Sequence, residues 1–306
     1  IYDARTVADR LGFPHYVLDY ESIFQQNVID DFVESYLQGE TPIPCIRCNQ
    51  RVKFKDLLTT ARDLGAEALV TGHYVQRIER PQGAQLHRAV DHNRDQSYFL
   101  FATTQEQLDY LRFPLGNMTK SETRDYAKRF GLEVADKPDS QDICFVPSGG
   151  YASVVKKFQP GALDPGDIVD LEGNVLGQHA GIINFTVGQR RGLGIAAADP
   201  LYVIRLEPET KRVVIGPHHA LARHTLQVKE VNWLENRSTF ANGYACQVKI
   251  RSTHQPVQAL VHALDDPTQA QVLFVEPEYG ISAGQACVFF DQDRVLGGGW
   301  ISREDR

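Results

Sequence analysis

The sequence predicts an α/β domain followed by two smaller β-rich modules. Residues 1–145 alternate segments of helical periodicity with short apolar segments, and glycines stand where several helices should end. Beyond Cys144, short β-prone segments are separated by Gly, Pro and charged turns. A chain of 306 residues, 42% of them hydrophobic, should divide into two or three domains, because single cores stop growing near ~250 to 300 residues. We therefore expect domains at residues 1–145, 146–220 and 221–306.

Periodicity and end signals place the elements of the first domain. The predicted elements are, in order, the end of a helix at residues 7–11, a short strand at 15–20, a long amphipathic helix at 21–37, a helix at 54–64 and a buried strand at 68–70. A loop with two cysteines connects the helices at 21–37 and 54–64. A later helix begins with Thr119 as N-cap and Glu122 three residues on, the pattern of a capping box, and ends at Gly131.

Two series of strands are predicted in the second half of the chain. The first series comprises residues 167–171, 181–187, 201–206 and 213–215. The second series comprises residues 226–233, 243–251, 257–263, 271–274, 286–290 and 294–301. Because about six strands follow one another at hairpin spacing, the second series predicts a small barrel or sandwich.

Composition and charge exclude several classes of protein. No run approaches the ~18 consecutive apolar residues that a membrane span requires, and the first residues have no secretory pattern, so we expect a cytoplasmic protein with no membrane partner. Five cysteines without dense spacing argue against a secreted disulfide scaffold. The net charge of -7 disfavours indiscriminate binding to nucleic acid, although it permits a local basic surface.

Three of the five cysteines lie in polar segments, which indicates thiol chemistry. Cys45 and Cys48 stand in Thr-Pro-Ile-Pro-Cys-Ile-Arg-Cys-Asn-Gln, and Cys144 stands in Asp-Ser-Gln-Asp-Ile-Cys-Phe. A Cys-x-x-Cys pair occurs in thioredoxin-type redox sites, zinc sites and iron–sulfur sites, and also as two structural thiols. No close second pair of ligands completes a zinc site. Cys246 and Cys287 alternate with apolar residues, so we predict that both are core residues of strands.

Two polar motifs of the first domain are candidates for ligand contacts. Gly72 and His73 follow the predicted buried strand, and open parallel sheets bind ligands at the carboxyl edge of their strands. A histidine satisfied within the turn is the alternative. Arg94, Asp95 and Gln96 precede an apolar run and suit phosphate or base contacts, or else a solvated helix start.

A third motif, Gly-Gln-Arg-Arg-Gly-Leu-Gly, lies at residues 188–194. It places Arg190 and Arg191 between glycines, which lets the backbone and the guanidinium groups approach a phosphate closely. A salt-bridged turn is the alternative.

Taken in order, these motifs resemble the bacterial tRNA-specific 2-thiouridylase family over nearly the whole chain. The segments that carry the resemblance are TPIPCIRCN, VKF, TGHY, RDQSYFL, DSQDICF, TVGQRRGLG and LGGG. That family uses ATP to adenylate the wobble uridine of tRNAs for Lys, Glu and Gln, and then replaces its 2-oxygen with sulfur from a sulfur-relay or cysteine desulfurase donor protein. The resemblance implies an α/β PP-loop ATPase-like domain (adenine nucleotide alpha hydrolase-like), a small β-rich central domain and a C-terminal β-barrel.

The resemblance also implies roles for individual residues. Cys48 would be the nucleophile and Cys144 the persulfide carrier, and Gly72 would approach the nucleotide. ATP and Mg²⁺ are the implied cofactors. The positions implied to contact tRNA are Ile43, Pro44, Cys45, His73, Arg94, Asp95, Gln96, Arg190, Arg191, Arg251, Ser252 and Gln285.

The sequence departs from the family's pattern in three places. The Ser-Gly-Gly-Val-Asp-Ser P-loop and the first strand are missing, so we expect that the sequence begins partway into the first domain. Ser252 stands where a family member has an aromatic residue. Cys45 stands where many members have aspartate. Cys45, Cys48 and Cys144 are therefore candidate ligands of a [4Fe–4S] cluster that would carry hydrosulfide; the alternative is that Cys45 merely takes the aspartate's place.

Three other functions share some of these features. Another PP-loop ATPase acting on tRNA would have the same fold but would not need two distant cysteines. A thiol-disulfide oxidoreductase would use Cys45 and Cys48 but leave the β modules without a role. A non-catalytic tRNA-binding module would need no P-loop.

In the persulfide scheme that the family resemblance implies, adenylation makes the uridine oxygen a good leaving group, and Cys48 completes sulfur transfer by closing a disulfide with Cys144.

Overall fold

The first module contains seven helices and four short strands within the part of the chain that the computed structural model describes, residues 2–137, 143–146, 150–159 and 163–303. The helices are α1 (Tyr2–Leu11), α2 (Glu21–Phe24), α3 (Asp30–Leu37), α4 (Pro44–Arg47), α5 (Leu57–Asp63), α6 (Gln105–Tyr110) and α7 (Lys120–Arg129). The strands are β1 (Leu69–Val70), β2 (Val75–Ile78), β3 (Gln85–Arg88) and β4 (Leu111–Arg112). Two π-helical segments, Gln25–Ile29 and Cys48–Asp56, join α2 to α3 and α4 to α5.

The segment that contains Cys45 and Cys48 is helical, so the prediction of a loop there is wrong. Pro44 occupies the first turn of α4, where its fixed φ and missing N–H cost nothing. The π-helical segment continues from Cys48, and the N–H of Leu57 donates to the carbonyl of Val52, five residues back. A single helical run therefore extends from Pro44 to Asp63.

Two predicted strands of the first module differ from the structure. Residues 15–20 are not a strand, and Tyr16 is 74% exposed. A strand needs a neighbour to complete its hydrogen-bond ladder, and none pairs with this segment among the described residues. The strand predicted at 68–70 does form as β1, which pairs in parallel with β4, but Val70 is 62% exposed and not buried.

The capping box predicted for α7 is confirmed. The Thr119 hydroxyl accepts a hydrogen bond from the Glu122 N–H at 3.3 Å, and the Glu122 carboxylate accepts one from the Thr119 N–H at 2.7 Å. These two bonds satisfy backbone donors that the first turn of a helix leaves unpaired. Gly131 follows the helix with a φ of +63°, as a left-handed C-terminal cap requires.

Among its described residues, the middle module consists of a four-stranded sheet and one α-helix. Its elements are α8 (Tyr151–Phe158), β5 (Gly166–Val169), β6 (Val175–His179), β7 (Tyr202–Glu207) and β8 (Arg212–Gly216), and its strand order is β6-β5-β8-β7. The strand predicted at 181–187 is wrong, because Ile182–Asn184 is a 3₁₀ turn. Ile182 and Ile183 are both buried, so their side chains do not alternate as a half-buried strand would require. Strand β6 was not predicted.

The C-terminal module is a closed six-stranded barrel. Its strands are β9 (Ala222–Trp233), β10 (Tyr244–Lys249), β11 (Val257–Ala263), β12 (Ala270–Tyr279), β13 (Ala286–Asp291) and β14 (Arg294–Ile301). The order β13-β10-β11-β12-β9-β14 closes through the pairing of β13 with β14. Cys246 and Cys287 are buried inside it, as predicted.

The first module and the barrel share a sheet and a core. The β2–β3 hairpin, which was not predicted, joins the barrel where His87 pairs with Arg294. Ile46 of α4 is fully buried in a cluster that also contains Trp300 of β14. Burying one such side chain is worth roughly 1.5–3 kcal/mol, so the cysteine helix is anchored to the barrel by packing. Among the described residues, no helix combines the length and the apolar character needed to span a membrane.

Candidate active site

The segment that leads into α4 is held by all three modules. A Cβ on Gly39 would lie 2.9 Å from Pro208 of the middle module. The N–H of Thr41 donates to the carbonyl of Ala283 in the barrel at 2.8 Å, and Nε2 of Gln285 donates to the carbonyl of Thr41 at 2.8 Å. Gln285, a predicted tRNA contact, thus holds the backbone of the segment that precedes the cysteines.

Two other predicted tRNA contacts lie at the start of the cysteine helix. Pro44 is buried at the first turn of α4, and Ile43 is half-buried against the core shared with the barrel. Both side chains therefore support the position of Cys45, which follows them directly and is exposed.

The structure brings the three candidate thiols into one region. Cys45 is exposed, Cys48 lies one turn later and is half-buried, and Cys144 is exposed. Cys144 is held near the helices by its neighbour Phe145, whose ring packs edge-on against Phe32 of α3 with centroids 5.2 Å apart. All five cysteines of the chain are free thiols, so no disulfide is present.

The pKa values of Cys45 and Cys48 both depend on the charges of Lys53 and Cys144. Burial raises the pKa of Cys48, the positive charge of Lys53 lowers it, and the thiolates of Cys144 and Cys45 raise it. Burial also raises the pKa of Cys45, followed by the effect of Cys144, and Lys53 lowers it. The Cys144 thiolate therefore disfavours ionisation of Cys45 and Cys48, while Lys53 favours ionisation of both.

Lys53 reaches Cys48 because the helix between them has π register. Five residues span about 140° around an α-helix of 3.6 residues per turn, whereas the i to i+5 bonding of a π-helix sets such residues nearly above one another. Lys53 lies within the motif that the sequence matched, but no role was predicted for it. The change from α-helix to π-helix that brings Lys53 near Cys48 cannot be predicted from the residue spacing alone.

His73 lies beside the same lysine and is neutral at pH 7. Burial, together with the positive charge of Lys53, lowers its pKa to about 4. Its Nδ1 is hydrogen-bonded to the Thr71 hydroxyl at 2.8 Å, and its ring packs edge-on against Phe54. The structure therefore places this predicted tRNA contact at the thiol site as a neutral imidazole.

Gly72 is exposed at the carboxyl end of the parallel pair β1 and β4. A Cβ at this position would meet only Leu115, at an ordinary contact distance of 3.7 Å. The backbone is open to solvent here, so these residues fit one edge of a nucleotide site in an open parallel sheet.

The Arg94-Asp95-Gln96 motif combines one exposed side chain with two that organise the loop. The Asp95 carboxylate, 3% exposed, accepts hydrogen bonds from the N–H and the hydroxyl of Ser97. Oε1 of Gln96 accepts a hydrogen bond from the N–H of Tyr74 at 2.8 Å, next to His73. Arg94 is exposed.

The turn that precedes Arg190 and Arg191 in the middle module approaches the barrel near Arg251. The turn at Gly188, which precedes Arg190 and Arg191, lies against Gly280, because a Cβ on Gly188 would be 3.4 Å from the Cα of Gly280. A Cβ on Gly280 would in turn be 3.4 Å from Nη1 of Arg251. The exposed predicted contacts at this junction are Arg190, Arg191 and Ser252.

Three family models match the chain in the order of its modules. They are a tRNA methyl transferase HUP domain at residues 1–148, a tRNA methyl transferase PRC-barrel domain at 153–217 and an aminomethyltransferase beta-barrel domain at 223–301. Among relatives named tRNA-specific 2-thiouridylase MnmA, the protein of Rhodospirillum centenum is 61% identical over 100% of this chain and 79% of its own length. The Paracoccus denitrificans protein is 60% identical over 99% of this chain and 78% of its own.

The chain belongs to the tRNA-specific 2-thiouridylase family. Membership confirms the resemblance and the predicted sequence of an α/β PP-loop-type domain, a central β-rich domain and a barrel. It favours 2-thiouridylase activity over the other PP-loop ATPases and over a thiol-disulfide oxidoreductase, because the relatives match the whole chain and not the cysteine segment alone.

Proposed function

We propose that this chain catalyses the ATP-dependent 2-thiolation of the wobble uridine in tRNAs for Lys, Glu and Gln. The observation that carries the proposal is the convergence of Cys48 and Cys144, distant in sequence, on one site in a chain of the 2-thiouridylase family. A redox pair alone would not need Cys144, and a tRNA-binding module would need no thiol.

Sulfur transfer in this scheme balances in atoms and electrons. ATP supplies the adenylyl group that makes the uridine O2 a leaving group, and a bound Mg²⁺ would supply neutralisation of the phosphate charge. The terminal sulfur of a Cys144 persulfide attacks C2, and AMP leaves. The Cys48 thiolate then attacks Sγ of Cys144 and breaks the persulfide bond, which leaves 2-thiouridine and a Cys48–Cys144 disulfide. An external dithiol reductant restores both thiols.

The surroundings of the thiols suit these steps. Cys144 is exposed, so a donor protein carrying a persulfide can reach it. Lys53 favours the thiolate of Cys48 against the burial that disfavours it. His73 is uncharged and lies next to the exposed Gly72, so it can contact a flipped base without repelling a nucleotide-bound cation.

A [4Fe–4S] cluster held by Cys45, Cys48 and Cys144 is the alternative sulfur carrier. Three thiols are the right kind of donor. However, across residues 2–137, 143–146, 150–159 and 163–303 no three His, Cys, Asp or Glu side chains are grouped so as to hold a metal ion. We therefore assign no step to a cluster. Iron and sulfide bound after anaerobic purification, and lost together with activity in Cys45→Ala, would replace the persulfide scheme.

The proposed function is tested by replacing the two thiols one at a time. Cys48→Ser and Cys144→Ser should abolish 2-thiouridine, measured by mass spectrometry of digested tRNA, because each thiol has a separate and essential step. Neither change should alter tRNA affinity. Cys246→Ala, which removes a buried barrel thiol, is the matched control and should retain activity. Near-normal thiolation in either serine variant contradicts the scheme.

A further inference from the structure

Arg47 is the last residue of α4 and lies between Cys45 and Cys48, but it has no part in the sulfur chemistry described above. Its side chain is only 10% exposed. A buried guanidinium is unfavourable unless charge and hydrogen bonds compensate it. The position of Arg47 therefore depends on the groups that surround it.

Those groups come mainly from the barrel. Nη1 and Nη2 of Arg47 donate to the two carboxylate oxygens of Glu230 at 2.7 and 3.1 Å, a bidentate pair. The guanidinium carbon stacks 4.1 Å from the ring centroid of Trp300. Within the first module, Nη1 also donates to Gln50 at 3.1 Å, and Asp31 lies 3.5 Å from Nε without forming a hydrogen bond.

The backbone of strand β9 has an unusual conformation at Glu230. This residue of β9 has a φ of +52°, a left-handed conformation that residues other than glycine rarely adopt and that the surrounding structure must hold in place. Hydrogen bonds from Arg47 hold the pKa of Glu230 below its usual value, so the carboxylate is ionised when the two modules are in contact.

We infer that Arg47 is a positioning residue that fixes the cysteine turn against the barrel, so that the geometry of Cys45 and Cys48 depends on the seating of the barrel. The barrel also carries Arg251 and Gln285, which are predicted to contact tRNA. The Arg47–Glu230–Trp300 clamp thus sets the distance between the RNA-binding module and the thiols. This inference deepens the proposed function and rests on it for the thiolation readout.

Arg51 provides a matched control on the next turn of the same helical run. Its Nη1 donates to Asp31 at 2.7 Å and to the carbonyl of Asn27 at 3.1 Å, both within the first module. Arg51→Lys therefore removes an arginine beside the cysteines while keeping the positive charge near Glu230 and the hydrogen bonds from Arg47 to Glu230.

The test compares Arg47→Lys, Glu230→Gln, their double variant and Arg51→Lys in the full chain. We measure single-turnover thiolation at saturating tRNA, tRNA affinity, and the pH profile of Cys48 alkylation by iodoacetamide, resolved by peptide mass spectrometry. Arg47→Lys and Glu230→Gln should each slow thiolation by about 10-fold or more and change the alkylation profile, since small misplacement of reacting groups is costly. The tRNA affinity should stay unchanged.

The double variant should be no slower than the slower single variant, because both changes break one contact. Arg51→Lys should behave as wild type. The inference is wrong if Arg47→Lys keeps the wild-type thiolation rate and alkylation profile. It is also wrong if Arg51→Lys loses as much thiolation activity as Arg47→Lys. Glu230→Gln keeps the side-chain volume and serves if Arg47→Lys does not fold, as judged by circular dichroism. If the complete wild-type protein, supplied with ATP, makes no 2-thiouridine, the proposed function fails, while the alkylation profiles still decide whether Arg47 positions the cysteines.

Discussion

At the scale of single residues, the reactivity of Cys48 depends on two opposed influences. Burial disfavours the thiolate and raises its pKa, while the positive charge of Lys53 lowers it. The net pKa is raised, so the reactive thiolate is the minor form at pH 7 and increases with pH. This suits a thiol that acts only after the persulfide sulfur has been transferred.

Replacing Lys53 with methionine should move the alkylation of Cys48 to higher pH. The change removes the charge that lowers the Cys48 pKa, so that pKa rises further and the rate at pH 7 falls. The measurement is the pH profile of site-resolved iodoacetamide labelling. Lys55→Met, two residues away on the exposed side of the helix, is the control and should leave the profile in place. A Lys53→Met profile equal to that of wild type would show that the lysine does not act on this thiol.

At the scale of elements, the cysteine helix takes its position from a barrel loop. Gly284 has a φ of +82° and packs directly against the segment before α4. A Cβ here would lie 2.8 Å from Cβ of Glu40 and 3.0 Å from the backbone N of Thr41, closer than side chains normally approach. The loop and the segment fit only because the glycine has no side chain.

Gly284→Ala should therefore displace the cysteine helix as well as strain the loop. The left-handed backbone alone costs roughly 1 kcal/mol or more, and the steric overlap should add about 1–3 kcal/mol. Gly173→Ala is the matched control, because its φ is +90° and no atom lies within 4 Å of the added Cβ. Urea unfolding and thiolation rate are measured for both. Equal losses of unfolding free energy and of thiolation rate in the two variants would contradict this prediction, because the steric overlap at Gly284 would then have no cost.

At the scale of the whole molecule, the net charge is -7, yet arginines lie near the junction between the middle module and the barrel. Arg190 and Arg191 are exposed on the turn that packs against Gly280, near Arg251. Clustered arginines at a module junction can follow an RNA backbone, whose phosphates dominate affinity and make it depend on salt.

Arg190→Ala combined with Arg191→Ala should weaken tRNA binding and reduce its salt dependence. Each lost phosphate contact should lower the slope of log affinity against log salt by about 0.7 to 0.9. Binding is measured by filter retention across salt concentrations. Lys156→Ala with Lys157→Ala, an adjacent exposed pair on α8 of the same module, is the control. An unchanged affinity and slope in the arginine variant would leave residues 188–194 as a structural turn.

The sequence by itself determined the order of the three modules, the six barrel strands, the buried barrel thiols and the capped start of α7. These features depend on local periodicity, turn residues and side chains three positions apart, all of which act within one element. The family resemblance predicted roles for Cys48 and Cys144. The strand expected at 15–20 did not form, because local pattern alone cannot supply a pairing partner.

Only the tertiary structure decided which side chains surround the thiols. Lys53 acts on Cys48 across a π-helical segment whose register the residue spacing does not encode. Arg47 is paired with Glu230, 183 residues away, and the β2–β3 hairpin extends the sheet of the barrel beyond β14. Such contacts arise when separate elements bury their apolar surfaces together, and no segment of the chain specifies them alone.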